Sequence, residues 1–449
     1  MLDRYTRPEM NHLWMRKDTK FQEWLNVELA YLKARLDSGQ LSLEAFDAIS
    51  RNAKIVVERI EALDKVFKHD MIAFIKAVHE TLEAAGVGSY KEELHKFLTS
   101  YDVEDPALIM MLRRAIKLVI DEFERLESAL RDAAKAHKWT LMIARTHGQY
   151  AEPTSFGCLL LVYANGINRS ILRLRHLLDT ELNEGKMSGA VGTYGGMDPE
   201  LEEKALAVLG LVPAKAETQI LQRDRHAMVI ATLAVASGTI SQMCRTFWEM
   251  MRSDVKELRE PTTNTQRGSS SMPQKKNPIY TEQGMGLPRV VSACASAAFE
   301  NISTPEHRDI SQSSVEREIF PTATGLVHYL AHRMTWLVEN LVVREKRMKK
   351  NLEVNSLGVW ASQRVRNALM SSGLDYDTAY TYIQKAAFAT DEDEENEVHL
   401  LVILSRMSIS EDDPRTAASI LGEEELEACF NAKSYIEGGV EHIFRVNGF

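Results

Sequence analysis

Basic residues are in deficit. Against 64 Asp and Glu the chain of 449 residues carries 54 Lys and Arg, a formal net charge of −10. Nucleic acid and anionic membrane surfaces reward a basic excess, so neither is expected as a partner, and any anion site has to be basic locally. Cysteine is scarce as well: Cys158, Cys244, Cys294 and Cys429 lie far apart without a Cys-x-x-Cys pair. That excludes a disulfide framework and leaves buried, reduced thiols as the expectation. No run approaches the roughly eighteen apolar residues of a membrane span, and the opening Met1-Leu2-Asp3-Arg4-Tyr5 lacks the apolar core of a signal peptide, so a cytoplasmic location is expected. His-Glu-x-x-His and other metal-ligand spacings are missing, and so are internal repeats. The glycines from Gly185 to Gly196 do not follow the G-x-G-x-x-G pattern after a strand, and they read as tight packing. Neither a metal nor a cofactor is expected.

Helical periodicity fills the space these absences leave. Very long apolar patterns run over about 106–138, 154–184, 224–258, 283–303 and 314–342, and almost nothing alternates like a strand. Helices of that length exceed what one compact layer needs and point to an elongated bundle or a helical assembly. The expected fold is all-α in three helical domains: 1–105 with short helices, 106–342 with the long ones, and 343–449 with short amphipathic segments. In the first domain Phe21 to Ser38 forms a helix closed by Gly39, and Asp105-Pro106 reads as an N-cap and first helical residue. The acidic run Asp391-Glu392-Asp393-Glu394-Glu395 reads as a solvated face.

The most informative stretch is Gly268 to Glu282, Gly-Ser-Ser-Ser-Met-Pro-Gln-Lys-Lys-Asn-Pro-Ile-Tyr-Thr-Glu. It lies between two helical patterns and gathers three hydroxyls (Ser269, Ser270, Ser271), two ammonium groups (Lys275, Lys276), the Asn277 amide and many backbone N–H groups. A helix starting near Pro278 is expected to aim its positive end at the same place, making a site for a carboxylate or phosphate. A second segment, Arg145-Thr146-His147-Gly148-Gln149-Tyr150-Ala151-Glu152-Pro153-Thr154, reads as a loop between one long helix and the next, which is expected to begin at Pro153.

The pattern Gly-Ser-Ser-x-Met-Pro-x-Lys-x-Asn-Pro-x-x-x-Glu resembles the signature of the fumarase/aspartase superfamily, which eliminates fumarate from succinyl-type substrates. Further segments are similar to the adenylosuccinate lyase family within it: Arg4-Tyr5-x-Arg7-Pro8-Glu9-Met10, Lys68-His69-Asp70, Thr99-Ser100, Arg145-Thr146-His147-Gly148 with Ala151-Glu152-Pro153-Thr154, Thr218 to His226, and Arg308 to Arg317. The resemblance spans nearly the whole chain. It implies small-molecule substrates, adenylosuccinate and the succinyl-carboxamide ribotide of purine synthesis, each cleaved at a C–N bond with release of fumarate. It also implies a homotetramer whose active sites collect loops from three subunits.

By position in the motifs, the resemblance makes Ser269 the base, His147 the acid for the departing nitrogen, and Glu282 the partner that orients or charges His147. Lys275 and Asn277, with Ser270 beside them, would hold the carboxylate whose charge grows as the proton leaves. His69 and His95, together with Lys68 and Asp70, would bind and polarise the substrate. Thr99, Ser100 and Gln219 would hold the succinyl moiety, and Arg4, Tyr5, Arg308, Ser313 and Arg317 the phosphate. Ser313 and Arg317, four apart, are expected on one helical face. Without the resemblance, Arg317 could equally pair with Glu316 or Glu318.

Three segments depart from the family pattern: Lys68 stands where arginine is common, Lys96-Phe97 where an aromatic and a glycine are usual, and Tyr150 where a second histidine is frequent. Phe97 is expected to narrow the site or shift the Thr99-Ser100 turn. Argininosuccinate lyase and a cycloisomerase on the same fold are the alternatives among enzymes, and the phosphate residues argue against both. A silent structural protein of this fold would have no need for Ser269, His147, Lys275 and Glu282. A helical nucleic-acid or membrane-surface binder would need a cationic stripe, which the acidic balance does not provide.

Overall fold

The computed structural model describes residues 3–262, 271–392 and 397–449. Ser269 and Ser270, and part of the acidic run, lie outside them. Helices dominate: α1 Pro8–Met15, α2 Lys17–Asp37, α3 Leu43–Asn52, α4 Val57–Phe67, α5 Asp70–Ala84, α6 Ser100–Ala136, α7 Phe156–Asp179, α8 Pro199–Val208, α9 Arg223–Met251, α10 Ile279–Glu300 and α11 Ser311–Glu339, with short helices beyond. The fold is all-α, as the periodicity implies, and the five long helices sit where it places them. Among the described residues three strand pairs interrupt the pattern, and only one exceeds two residues per strand, β1 Leu141–Thr146 with β2 Gln149–Ser155.

By its contacts the chain divides into two units, residues 1–125, 167–242 and 283–334 in the first, and residues 126–166, 243–282 and 335–449 in the second. In the first unit α2 buries Trp24, Leu25, Val27 and Leu32 at helical spacing. Its aromatic residues meet α5: Phe21 and Trp24 are 5.4 Å apart and Trp24 sits edge-on to Phe74 at 5.5 Å. That contact fixes α5, whose first residue is Asp70. As expected, α2 ends at Ser38 with Gly39 in the left-handed region at φ 71°. α8 opens with the Asp198 carboxylate accepting from the Glu200 amide and Pro199 first in the helix.

Two boundaries differ from expectation. α6 begins at Ser100 and carries Pro106 inside it, so Asp105 is not its cap. Asp102 does that work: its Oδ2 accepts the Thr99 amide at 2.9 Å, reaching back over the first turn as in half of a capping box. α7 begins at Phe156, because Pro153 and Thr154 belong to β2, where they pair with Ile143 and Met142. Close packing also explains a small residue there: a Cβ on Gly157 would lie 2.5 Å from the Ala134 carbonyl oxygen. In the glycine-rich segment, Gly192 has φ 78° and a Cβ on it would lie 1.9 Å from the Glu217 carbonyl oxygen, and one on Gly185 2.7 Å from the Leu206 side chain, so tight packing explains these two, whereas a Cβ on Gly195 or Gly196 would meet nothing within 4 Å.

α9 holds an 18-residue window of mean hydropathy 1.5, enough to match a membrane span by composition, where the sequence reading expected no such run. More than half of that window is buried inside the fold, which marks a core helix. The second unit has its own core, in which Ile143 of β1 packs with Leu352, Trp360, Val365, Leu369, Tyr382 and Leu404.

Candidate active site

The segment containing His147 is a β-hairpin, not an open loop. Arg145 pairs with Tyr150 and Thr146 with Gln149, which leaves His147-Gly148 as a two-residue turn. Both have positive φ, 55° and 80°. A two-residue turn with both central residues left-handed is the type I′ geometry that suits the twist of paired strands, and glycine fills the second position at no steric cost. His147 occupies the first position as an exposed residue at the tip. The hairpin is held rigidly from below. Arg145 makes two bonds to the carboxylate of Glu257, at 3.2 and 3.3 Å, and Asn351 donates to that fully buried carboxylate at 2.7 Å. Tyr150 takes the place expected of a second histidine and lies under the Arg145 guanidinium at 5.3 Å. A cleft of about 770 Å³ runs beside the tip, lined by Arg145, His147, Gln149, Tyr150, Arg252 and Asp254 among others.

Also in the second unit, the described part of the motif loop carries exposed Lys275 and Lys276, half-buried Asn277 and exposed Glu282 in the first turn of α10. The start of α10 differs from expectation. Its amides at Tyr280 and Thr281 are already taken by the Glu260 carboxylate, at 3.1 and 2.7 Å, and the Thr281 hydroxyl adds a bond at 3.0 Å. Burial pushes the Glu260 carboxyl above its ordinary range, and the helix amides pull against that shift. Those N-terminal donors are therefore not open to a ligand. Among the described residues no hydrogen bond joins His147 to Glu282 within one chain.

The first unit assembles most of the other predicted residues. Lys68 closes α4 at φ 54°, exposed His69 stands at the N-cap of α5, and Asp70 follows. The Asp70 carboxylate receives Arg317 at 3.0 Å and Lys20 at 3.1 Å, so Arg317 pairs across 247 positions and not with its neighbours Glu316 or Glu318. Glu316 instead joins Asp105 on the buried Arg223 guanidinium. Arg308 donates to the Gln219 side chain at 2.7 Å, and Gln219 donates to the Ala190 carbonyl at 2.8 Å. Ser313 and Arg317 share one face of α11, as their spacing predicts, and line a cavity of about 240 Å³ with Lys20, Trp24, Tyr101 and Glu104. Exposed Arg4 lies over the Tyr5 ring at 5.9 Å, and Tyr5 packs edge-on against Tyr329 of α11.

Thr99 and Ser100 sit at the start of α6, tied to Gln219 by a buried relay. Lys186 donates to Asp102 Oδ1 at 2.7 Å, to the Gly189 carbonyl at 3.2 Å and to the Gln219 carbonyl at 2.9 Å, so all three ammonium protons are used. Phe97 leaves this turn intact: it adopts the glycine-like φ of 73° and its ring is exposed.

His95 is also left-handed, at φ 58°, and both its backbone N–H and its Nδ1 meet the buried Glu28 carboxylate, at 2.9 and 2.6 Å. Burial alone would lower the imidazole pKa, but the hydrogen bond and charge of Glu28 outweigh it and raise the value above the ordinary one. A raised folded value means that this pair's stabilisation is complete below the unfolded imidazole pKa of about 6.5. It is lost as the pH climbs through the folded value. In a Glu28→Gln variant the loss of melting temperature between about pH 6 and pH 8.5 is expected to shrink relative to wild type. An unchanged difference would remove His95 as its source. Glu28 and Lys20 carry no motif signal, and only the fold brings them to the predicted residues.

Known proteins place this arrangement. A family described as lyase matches residues 3–292. The adenylosuccinate lyase of Thermotoga maritima is 37% identical over 444 residues, covering 99% of each chain. That of Bacillus subtilis is 38% identical over 387 residues, covering 86% of this chain and 88% of its own. Among solved structures, a fumarate lyase from Mesorhizobium sp. BNC1 superposes over the full length of both chains with a TM-score of 0.87 at 22% identity. The 3-carboxy-cis,cis-muconate lactonizing enzyme of Pseudomonas putida gives 0.84 at 23% identity, over 99% of this chain and 98% of its own. Those two share the fold, and the sequence kinship across almost all of the chain goes further: the protein belongs to the adenylosuccinate lyase family of the fumarase/aspartase superfamily.

Proposed function

We propose that this enzyme eliminates fumarate from adenylosuccinate to give AMP, and from the succinylaminoimidazole carboxamide ribotide to give the carboxamide ribotide, in purine nucleotide synthesis. The observation that carries this reading is kinship to adenylosuccinate lyases over nearly the entire length at 37–38% identity. The geometry supports it, since Gln219, Arg308, Ser313, Arg317 and Asp70 fall in one polar neighbourhood of the first unit.

In the proposed chemistry Ser269 removes a proton from the succinyl CH2 carbon, the neighbour of the carbon that bears the nitrogen. The electron pair forms the new C=C bond, the C–N bond breaks, and the nitrogen takes a proton from His147. Lys275 and Asn277, with Ser270, stabilise the charge that builds on the carboxylate. Thr99, Ser100 and Gln219 hold the succinyl group, His69 and His95 polarise it, and Arg4, Tyr5, Arg308, Ser313 and Arg317 hold the phosphate. Glu282 serves His147 from another subunit of a cytoplasmic homotetramer. The exposed apolar residues Val162 and Leu172 on α7 and Met228 and Val235 on α9 suit such an assembly.

Purified protein incubated with adenylosuccinate is expected to release AMP and fumarate, and to leave argininosuccinate untouched. A Ser269→Ala variant, assayed beside it, loses nearly all turnover. A wild type inert toward adenylosuccinate would overturn the substrate, and an active Ser269→Ala variant would overturn the base.

A further inference from the structure

Tyr101 directly follows the Thr99-Ser100 pair, and it touches one of the proposed phosphate ligands, Arg308. It is the second residue of α6, only 3% exposed. The Arg308 guanidinium lies 4.0 Å from the centre of its ring, and Tyr101 lines the same cavity as Ser313. Behind it, Arg223 lies 5.7 Å from the ring and is locked by Asp105 and Glu316. Tyr101 is thus a fixed wall, and Arg308 rests on it with one end on Gln219 and with a buried Nε that has no hydrogen-bond partner among the described residues.

We propose that Tyr101 is the positioning residue of the phosphate subsite, its ring fixing the plane of Arg308 before the nucleotide arrives. This rests on the reading of Arg308 as a phosphate ligand. Stacking on an aromatic face leaves the edge of a guanidinium free for bidentate bonding to a phosphate. Presetting Arg308 removes ordering cost from binding, and the phosphate takes no part in bond breaking. Loss of Tyr101 therefore acts on substrate and transition state alike, raising KM with kcat kept.

The test is steady-state kinetics with adenylosuccinate, and inhibition by AMP, for Tyr101→Phe, Tyr101→Leu, Arg308→Gln and the double variant Tyr101→Leu/Arg308→Gln. Tyr101→Leu is expected to raise KM and the AMP inhibition constant about tenfold, with kcat within about twofold. Tyr101→Phe, which keeps the ring, recovers most of that loss, and the double variant is no worse than Arg308→Gln alone because the ring acts through the arginine. Should Tyr101→Leu fail to fold, Tyr101→Met takes its place in the same cycle. Additive effects in that cycle, or a fall in kcat at unchanged KM, overturn the inference. Unchanged constants in the Tyr101→Leu variant, with raised ones in Arg308→Gln, overturn it while the phosphate reading stands. Unchanged AMP inhibition in all of them overturns that reading as well.

Discussion

Turnover of adenylosuccinate is expected to fall at least about a hundredfold in a His147→Asn variant, the usual size of a lost general acid. Asparagine is the informative replacement because position 147 is left-handed at φ 55°, and asparagine tolerates that region where most side chains do not. The turn, and with it the hairpin anchored by Arg145 on Glu257, is kept while the proton donor is lost. The comparison to make is kcat against pH for both proteins, beside their melting curves. If His147 protonates the departing nitrogen, kcat of the variant is lower at every pH measured while its melting curve is kept. A variant that melts like wild type and turns over within about fivefold of it would remove His147 from the chemistry.

The second large effect is on stability. Replacing Lys186 with methionine is expected to cost about 3–5 kcal/mol, because it strands the fully buried Asp102 carboxylate without its cation. Two carbonyls, those of Gly189 and Gln219, lose their donor in the same step. Denaturant unfolding followed by circular dichroism measures this, with the midpoint falling at constant slope. Adding Asp102→Leu removes the stranded charge and is expected to recover part of the loss, since replacing both members of a buried pair by apolar groups costs far less than removing one. A drop below about 1 kcal/mol in the single variant would mean that water reaches Asp102.

What could be read from the sequence followed from local rules. The long helices appear because their apolar residues recur at one period for many turns, and Ser313 and Arg317 fall on one face because they are four apart. The hairpin at His147 was hidden because each strand is short, one contains a proline, and the register shifts between Ile143 and Arg145, so no clean alternation survives. The start of α6 was misplaced by a similar rule: Asp105-Pro106 looks like a helix opening, but the Asp105 carboxylate serves Arg223, 118 positions away. Glu28 with His95, and Tyr101 with Arg308, are likewise long-range pairs of residues whose types are common everywhere. No spacing rule reaches that far.

The carboxylate of Glu260 has one more consequence. Because it already occupies the first amides of α10, the positive charge offered to a substrate anion by this part of the chain comes from exposed lysines. Fixed dipoles inside a fold feel little of the surrounding electrolyte, whereas charges in solvent are screened over about 8 Å at physiological ionic strength. If Lys275 holds a succinyl carboxylate as proposed, its capture is expected to weaken as dissolved salt rises, and the working affinity to follow the ionic composition of the surrounding medium.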